Sequence, residues 1–102
     1  MQYTRFGLTG LTVSRLSLGT ATFGKQADES SSHRILDVAA DAGVNFIDTA
    51  NANPMGADLT LVGRTEEITG RWLKGRRDRF IVATKAGGPM GPSTWDQDSS
   101  RK

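Results

Sequence analysis

Cysteine is absent from the 102-residue chain, which excludes a disulfide framework, a thiolate metal site and a cysteine nucleophile. That absence suits a reducing compartment, with the cytoplasm as the expected location. Long apolar runs are also missing. The longest uninterrupted one, Phe80 to Ala83, is far below the roughly 20 residues a membrane span needs. No apolar segment follows Met1-Gln2-Tyr3-Thr4-Arg5, so neither membrane insertion nor secretion is expected. An excess of charge of one sign is lacking too: 13 Lys+Arg against 11 Asp+Glu leave a net +2, too small to argue for a nucleic-acid partner. With one histidine and no cysteine, no metal site is expected. The 36% apolar fraction and 12 glycines fit a globular chain. Its length fits one small domain or a piece of one, so residues 1–102 are read as a single unit.

Gln2 to Leu18 alternates apolar and polar residues around Gly7 and Gly10, which predicts a short hairpin feeding a strand that ends at Gly19-Thr20. The Asp28 to Ser32 cluster is an N-cap signal. Ile35, Leu36, Ala39 and Ala42 then recur at helical spacing until Gly43, predicting an amphipathic helix over 31–42. Val44 to Asp48 is β-prone and runs into a turn-rich stretch from Asn51 to Gly63. The cycle repeats. Thr65 is a candidate cap, Glu66 and Glu67 stand in the first turn where the helix dipole favours acids, and Ile68, Trp72 and Leu73 form the apolar stripe. The basic run Arg71, Lys74, Arg76, Arg77 and Arg79 reads as ordinary partners of a helix carboxyl end. Phe80 to Lys85 predicts a third strand, apolar enough to be covered on both faces. The Gly87 to Gly91 loop breaks it as a turn and matches no phosphate-cradling pattern. The closing Ser99-Ser100-Arg101-Lys102 resembles the capped start of another helix. Strand, helix, strand, helix, strand predicts an α/β architecture with a parallel sheet and right-handed crossovers.

In such sheets reactive groups collect at the carboxyl ends of the strands. Asp48 and Lys85 occupy two of these ends. If their strands are neighbours, the Cα atoms lie within roughly 5 to 10 Å, given a strand spacing near 4.8 Å. An ion pair is then feasible, since a partly buried ammonium needs a carboxylate to stay charged. A turn aspartate and a solvated lysine fit the same spacing.

Leu18-Gly19-Thr20, the run from Asp37 to Ala50 with its Ala-Gly-Val-Asn-Phe-Ile-Asp-Thr-Ala core, Gly63-Arg64-Thr65-Glu66-Glu67-Ile68 with Gly70, and Ala83-Thr84-Lys85 resemble the amino-terminal third of an aldo-keto reductase. The resemblance spans essentially the whole chain. It implies a (β/α)8 barrel that binds NADPH and reduces a small aldehyde or ketone through an Asp, Tyr, Lys and His tetrad. By motif position, Asp48 matches the family aspartate and Lys85 the family lysine, while Gly19, Thr20 and Asp48 match residues beside the nicotinamide. In the family the tyrosine donates the proton, lysine depresses the tyrosine pKa, aspartate pairs with lysine, and histidine orients the substrate.

Three departures accompany the match. Where the family reads Asp-Thr-Ala-Asn-Val-Tyr-Pro, this chain ends the segment in Ala52-Asn53-Pro54. A carboxamide has no proton to give near neutral pH, and general acid catalysis typically contributes about 10²- to 10⁴-fold. Neither Tyr3, in the hairpin and expected at the opposite end of the strands, nor His33, expected on the outer surface of the first helix, replaces its family counterpart. Finally, a barrel of this kind needs about 250 residues, so the chain is expected to be the first three βα units of an incomplete barrel behind an amino-terminal β-hairpin. Its uncovered sheet would favour self-association or complementation by a missing barrel portion. Tight NADPH binding by the isolated chain is not expected, since the family's phosphate and adenosine contacts lie further along.

Overall fold

The computed structural model describes residues 1–99. Two antiparallel strands, β1 (Tyr3–Arg5) and β2 (Thr12–Ser14), form the hairpin, with Tyr3 opposite Ser14. The chain then enters β3 (Leu18–Gly19), α1 (Glu29–Asp41), β4 (Phe46–Asp48), α2 (Arg64–Leu73) and β5 (Ile81–Ala83). The last three strands make a parallel sheet in the order β3-β4-β5, as the strand–helix alternation predicts. Two complete βα units are therefore present. The third has its strand, followed by a loop and a 3₁₀ turn at Thr94–Asp96 capped by Ser93. The helix start expected at Ser99 to Lys102 falls mostly on residues outside the described ones.

Register divides the sheet into two faces. Leu18 stands beside Ile47 and Ile47 beside Val82, while Gly19, Asp48 and Ala83 form the next row. Because side chains alternate along a strand, the first row faces the helices and the second faces away. Leu18, Ile47 and Val82 accordingly pack into one cluster with Phe23, Leu36, Trp72, Leu73 and Phe80. The Trp72 and Phe80 rings meet edge-on at 4.9 Å. On the opposite face Phe46 meets Phe6 of the hairpin loop, centroids 5.6 Å apart.

The hairpin is held to the entry of β4 by Asn45. Its Oδ1 accepts from Ser14 N at 2.7 Å, its Nδ2 donates to Thr12 O at 3.2 Å, and its backbone N donates to Ser14 Oγ at 3.1 Å. Nearby, Tyr3 Oη donates to Gly43 O at 2.7 Å. Gly43 follows α1 at φ 91°, a left-handed conformation that favours glycine.

Several element limits differ from expectation. Helix α1 starts earlier because Asp28 is its cap, accepting from Ser31 N at 2.8 Å. Of its expected stripe Leu36 is buried, whereas Ile35 is exposed, as is Val38 outside that stripe, since only one flank of α1 meets α2. Thr65 does not cap α2. Gly63 occupies that position, and the Thr65 hydroxyl donates instead to Phe23 O at 2.6 Å, tying α2 to the loop after β3. Strand β5 is only partly buried, because helices cover one face alone. Its neighbours fall outside the strand: Phe80 N closes the preceding turn on Arg77 O.

The basic run serves particular groups rather than the helix end as a whole. Arg71 pairs with Glu29 of α1, Arg76 lies 4.7 Å over the Trp72 ring, Arg77 donates to Phe80 O, and Arg79 lies over the Phe80 ring. His33 is likewise not simply a surface residue: its Nε2 sits 3.0 Å from Ile68 O, half-buried in the α1–α2 seam.

Asn45→Ala should leave the buried Ser14 N–H without its acceptor and cost about 1–3 kcal/mol, read as a lower urea midpoint with faster amide exchange concentrated in the hairpin. A second expectation concerns acid. Hydrogen bonding to Arg71, ahead of the charge attraction, holds the Glu29 carboxyl below its ordinary value of 4.5. Its stabilising contribution is therefore complete above that value and fades as pH falls through the lower folded-state value. In Glu29→Gln, the decline of the urea midpoint on acidification should be shallower than in the parent chain.

Candidate functional site

Asp48 ends β4, and Lys85 lies two residues beyond β5. Both emerge at the carboxyl edge of the parallel sheet. Extended backbone continues past Ala83, with Thr49 N donating to Ala83 O at 2.9 Å and Asn51 N to Lys85 O at 3.0 Å. That continuation carries Lys85 onto the face of Asp48 and Ala83. Lys85 Nζ lies 2.6 Å from Asp48 Oδ1, 2.7 Å from Asp48 Oδ2 and 2.8 Å from Thr49 O. An ammonium has three N–H donors, and here three acceptors meet it. The side chains are 58% and 43% exposed, so the pair contributes little to stability through charge alone. Its importance is geometric: a cation fixed at the rim.

The other residues singled out by sequence divide into those at this rim and those away from it. Gly19 ends β3 in register with Asp48, and a Cβ added to it would meet no heavy atom within 4 Å. Thr20 is wholly buried, and its backbone N and its hydroxyl both donate to Asp48 O, at 3.0 and 2.9 Å. It holds the backbone of the carboxylate rather than presenting a group to solvent. Asn53 lies in the loop between β4 and α2, its N donating to Ala50 O and its O accepting from Gly63 N. Among the described residues its carboxamide makes no hydrogen bond to Asp48 or Lys85. Tyr3, bonded at the entry of β4, stands at the opposite end of the sheet, and His33 sits between the helices.

The backbone of Gly19 is open on the side next to the paired carboxylate and ammonium. Among the described residues no group of three or more His, Cys, Asp or Glu could hold a metal ion. No helix there is long and apolar enough to cross a membrane.

The Aldo/keto reductase family model matches residues 15–102. The chain belongs to the aldo-keto reductase family. Over 93 residues it is 45% identical to the uncharacterized oxidoreductase YrpG of Bacillus subtilis (strain 168), an alignment covering 88% of this chain and 28% of that protein. The structure superposes on the holo form of aldo-keto reductase AKR11C1 from Bacillus halodurans with a TM-score of 0.73 and 35% identity, covering 87% of this chain and 27% of that one. The aldo-keto reductase segment described here thus spans less than a third of the length of these relatives. A relative of similar size also occurs: an uncharacterized 11.2 kDa protein of Pseudescherichia vulneris, 34% identical, with the alignment covering 82% of this chain and 84% of that protein.

Two contacts escape sequence reasoning. Thr49 contributes its backbone carbonyl to Lys85, and a carbonyl carries no residue-type signal. Glu66, assigned above to the helix dipole, accepts from the hydroxyl of Thr84, the residue before Lys85. An acid in the first turn of a helix beside a strand that ends in Thr-Lys was the available clue.

The open side of Gly19 contrasts with Gly24, where an added Cβ would lie 2.6 Å from Arg64 Cγ at φ +97°. Gly19→Ala should change stability by less than about 0.5 kcal/mol, whereas Gly24→Ala should cost about 1–3 kcal/mol, both measured by urea unfolding.

Proposed function

We propose that this chain is the amino-terminal wedge of an NADPH-dependent aldo-keto reductase barrel, contributing Asp48 and Lys85 to the acid system of carbonyl reduction but unable to complete the reaction alone. The observation that carries the reading is the Lys85 ammonium held on both Asp48 oxygens beside the open backbone of Gly19. A carbonyl accepting hydride at carbon needs a proton at oxygen, and a cation beside the donor favours that donor's deprotonated form. Asp48 keeps the cation in place, Thr20 fixes the backbone of Asp48, and Gly19 leaves room for the nicotinamide. NADPH, when bound, would supply the hydride. The substrate class is a small aldehyde or ketone.

Two features argue against turnover by the isolated chain. Asn53 stands where the resemblance calls for the proton-donating tyrosine, and a carboxamide is no acid near neutral pH. The one histidine, His33, also sits between α1 and α2 rather than at the rim.

A second reading, a non-catalytic module associating through its uncovered sheet, is favoured by the sheet edges at β3 and β5, which no further strand pairs among the described residues. It predicts a defined oligomer or saturable association with a partner, read by sedimentation and titration.

The purified chain, assayed for NADPH oxidation against a panel of small aldehydes and ketones, should show no carbonyl-dependent rate. Asn53→Tyr should not create one, because the remaining barrel and the histidine are still lacking. A measurable carbonyl-dependent rate in either protein would contradict the incomplete-centre reading.

A further inference from the structure

We propose that Glu66 is a positioning residue for Lys85, acting through Thr84; this rests on the reading of the Asp48–Lys85 pair given above. Strand β5 ends at Ala83, and no further strand pairs with its outer edge among the described residues. Past that point Lys85 is held on its inner edge by Asn51 N, which donates to Lys85 O at 3.0 Å. Along the backbone this stretch is thus held on one edge alone, at Ala83 O by Thr49 N and at Lys85 O by Asn51 N. The second restraint comes from the other face. Alternation turns Thr84 away from Lys85 and toward α2, where its hydroxyl donates to Glu66 Oε1. Hydrogen bonds to an ionised carboxylate are stronger than neutral ones, and α2 is anchored independently by buried Ile68, Trp72 and Leu73. Fixing Thr84 on one face fixes the direction of Lys85 on the other.

The surroundings make that restraint necessary. A cavity of about 200 Å³ is lined by Thr49, Glu66, Thr84, Leu73 and Arg77 among others. It leaves the Thr84 side chain space to turn once the hydroxyl is released. Thr49, whose carbonyl accepts from Lys85 Nζ, borders the same cavity, and its own hydroxyl is buried without a hydrogen-bond partner. Packing therefore does not hold the Thr84 side chain, which is exposed. A role for Glu66 limited to the helix dipole would be indifferent to the Thr84 hydroxyl and to the state of Lys85.

The test is pulse labelling of amines in the intact chain by reductive methylation at fixed pH, with mass spectrometry giving the rate at Lys85 relative to exposed Lys74. Amide exchange at Ile47 and Val82 reports whether the sheet itself is unchanged. Asp48→Asn should raise the Lys85 rate and so reads the ion pair directly. Glu66→Ala and Thr84→Val should each raise the relative rate roughly 3- to 10-fold, as expected for loss of one solvent-exposed hydrogen bond. Thr84→Ser, which keeps the donor, should label like the parent, and Glu66→Gln, which keeps an acceptor without its charge, should fall between the parent and Glu66→Ala. If Asp48→Asn accelerates labelling but Glu66→Ala and Thr84→Val do not, the positioning role is overturned while the ion-pair reading survives. No acceleration in Asp48→Asn would defeat the ion-pair reading and the positioning role with it. Should Glu66→Ala loosen the sheet by amide exchange, the difference between Thr84→Val and Thr84→Ser decides, and equal rates in those two would overturn the proposal.

Discussion

The parallel register of β3, β4 and β5 is the constraint on which the rest of the structure depends. It places Leu18, Ile47 and Val82 in one row and Gly19, Asp48 and Ala83 in the next. The first row seals against Leu36, Trp72 and Phe80, and burial of those side chains supplies most of the driving force for folding. The second row is thereby forced onto the opposite face, where two small residues flank a carboxylate. A slip of one residue would send Asp48 into the helix layer and Ile47 to solvent. Core and candidate site are thus two sides of one pairing.

Three supports act on that sheet from different directions. Asn45 and Tyr3 attach the hairpin at the entry end, through Ser14, Thr12 and Gly43. The Thr65 hydroxyl and the Arg71–Glu29 pair bind α2 to the loop after β3 and to α1. Thr20 holds the backbone of Asp48 from the neighbouring strand. None of these groups lies at the rim itself, yet together they fix the strands that carry it. The rim is more exposed, as expected where loops leave a parallel sheet. Lys85 is correspondingly held by hydrogen bonds rather than by burial.

Much of this was legible from residue order. The alternation of apolar periods predicts both helices and the parallel sheet, and the motif run from Ala42 to Ala50 fixes where Asp48 falls. The errors have physical causes. Thr65 carries the chemistry of a cap, but its hydroxyl is claimed by Phe23 O, a partner 42 residues away that no local pattern announces. Ile35 reads as a candidate for burial because periodicity describes a helix face, not what packs against it. The arginines in the last turn of α2 and after it look like a generic cationic end, whereas each is spent on an acid, a carbonyl or an aromatic ring. Side-chain reach across elements decides such matters.

The sequence by itself determined the family, the order of elements and the residue types available for chemistry, including an asparagine at the position of the family tyrosine. These follow from local periodicity and motif identity, which need no knowledge of distant contacts. Only the tertiary structure decided that Lys85 meets both carboxylate oxygens of Asp48 and the carbonyl of Thr49, that Thr20 secures the backbone carbonyl of Asp48, and that Glu66 reaches Thr84. Those contacts join residues far apart in the chain, and their distances are set by strand register and helix packing, which no single segment specifies alone.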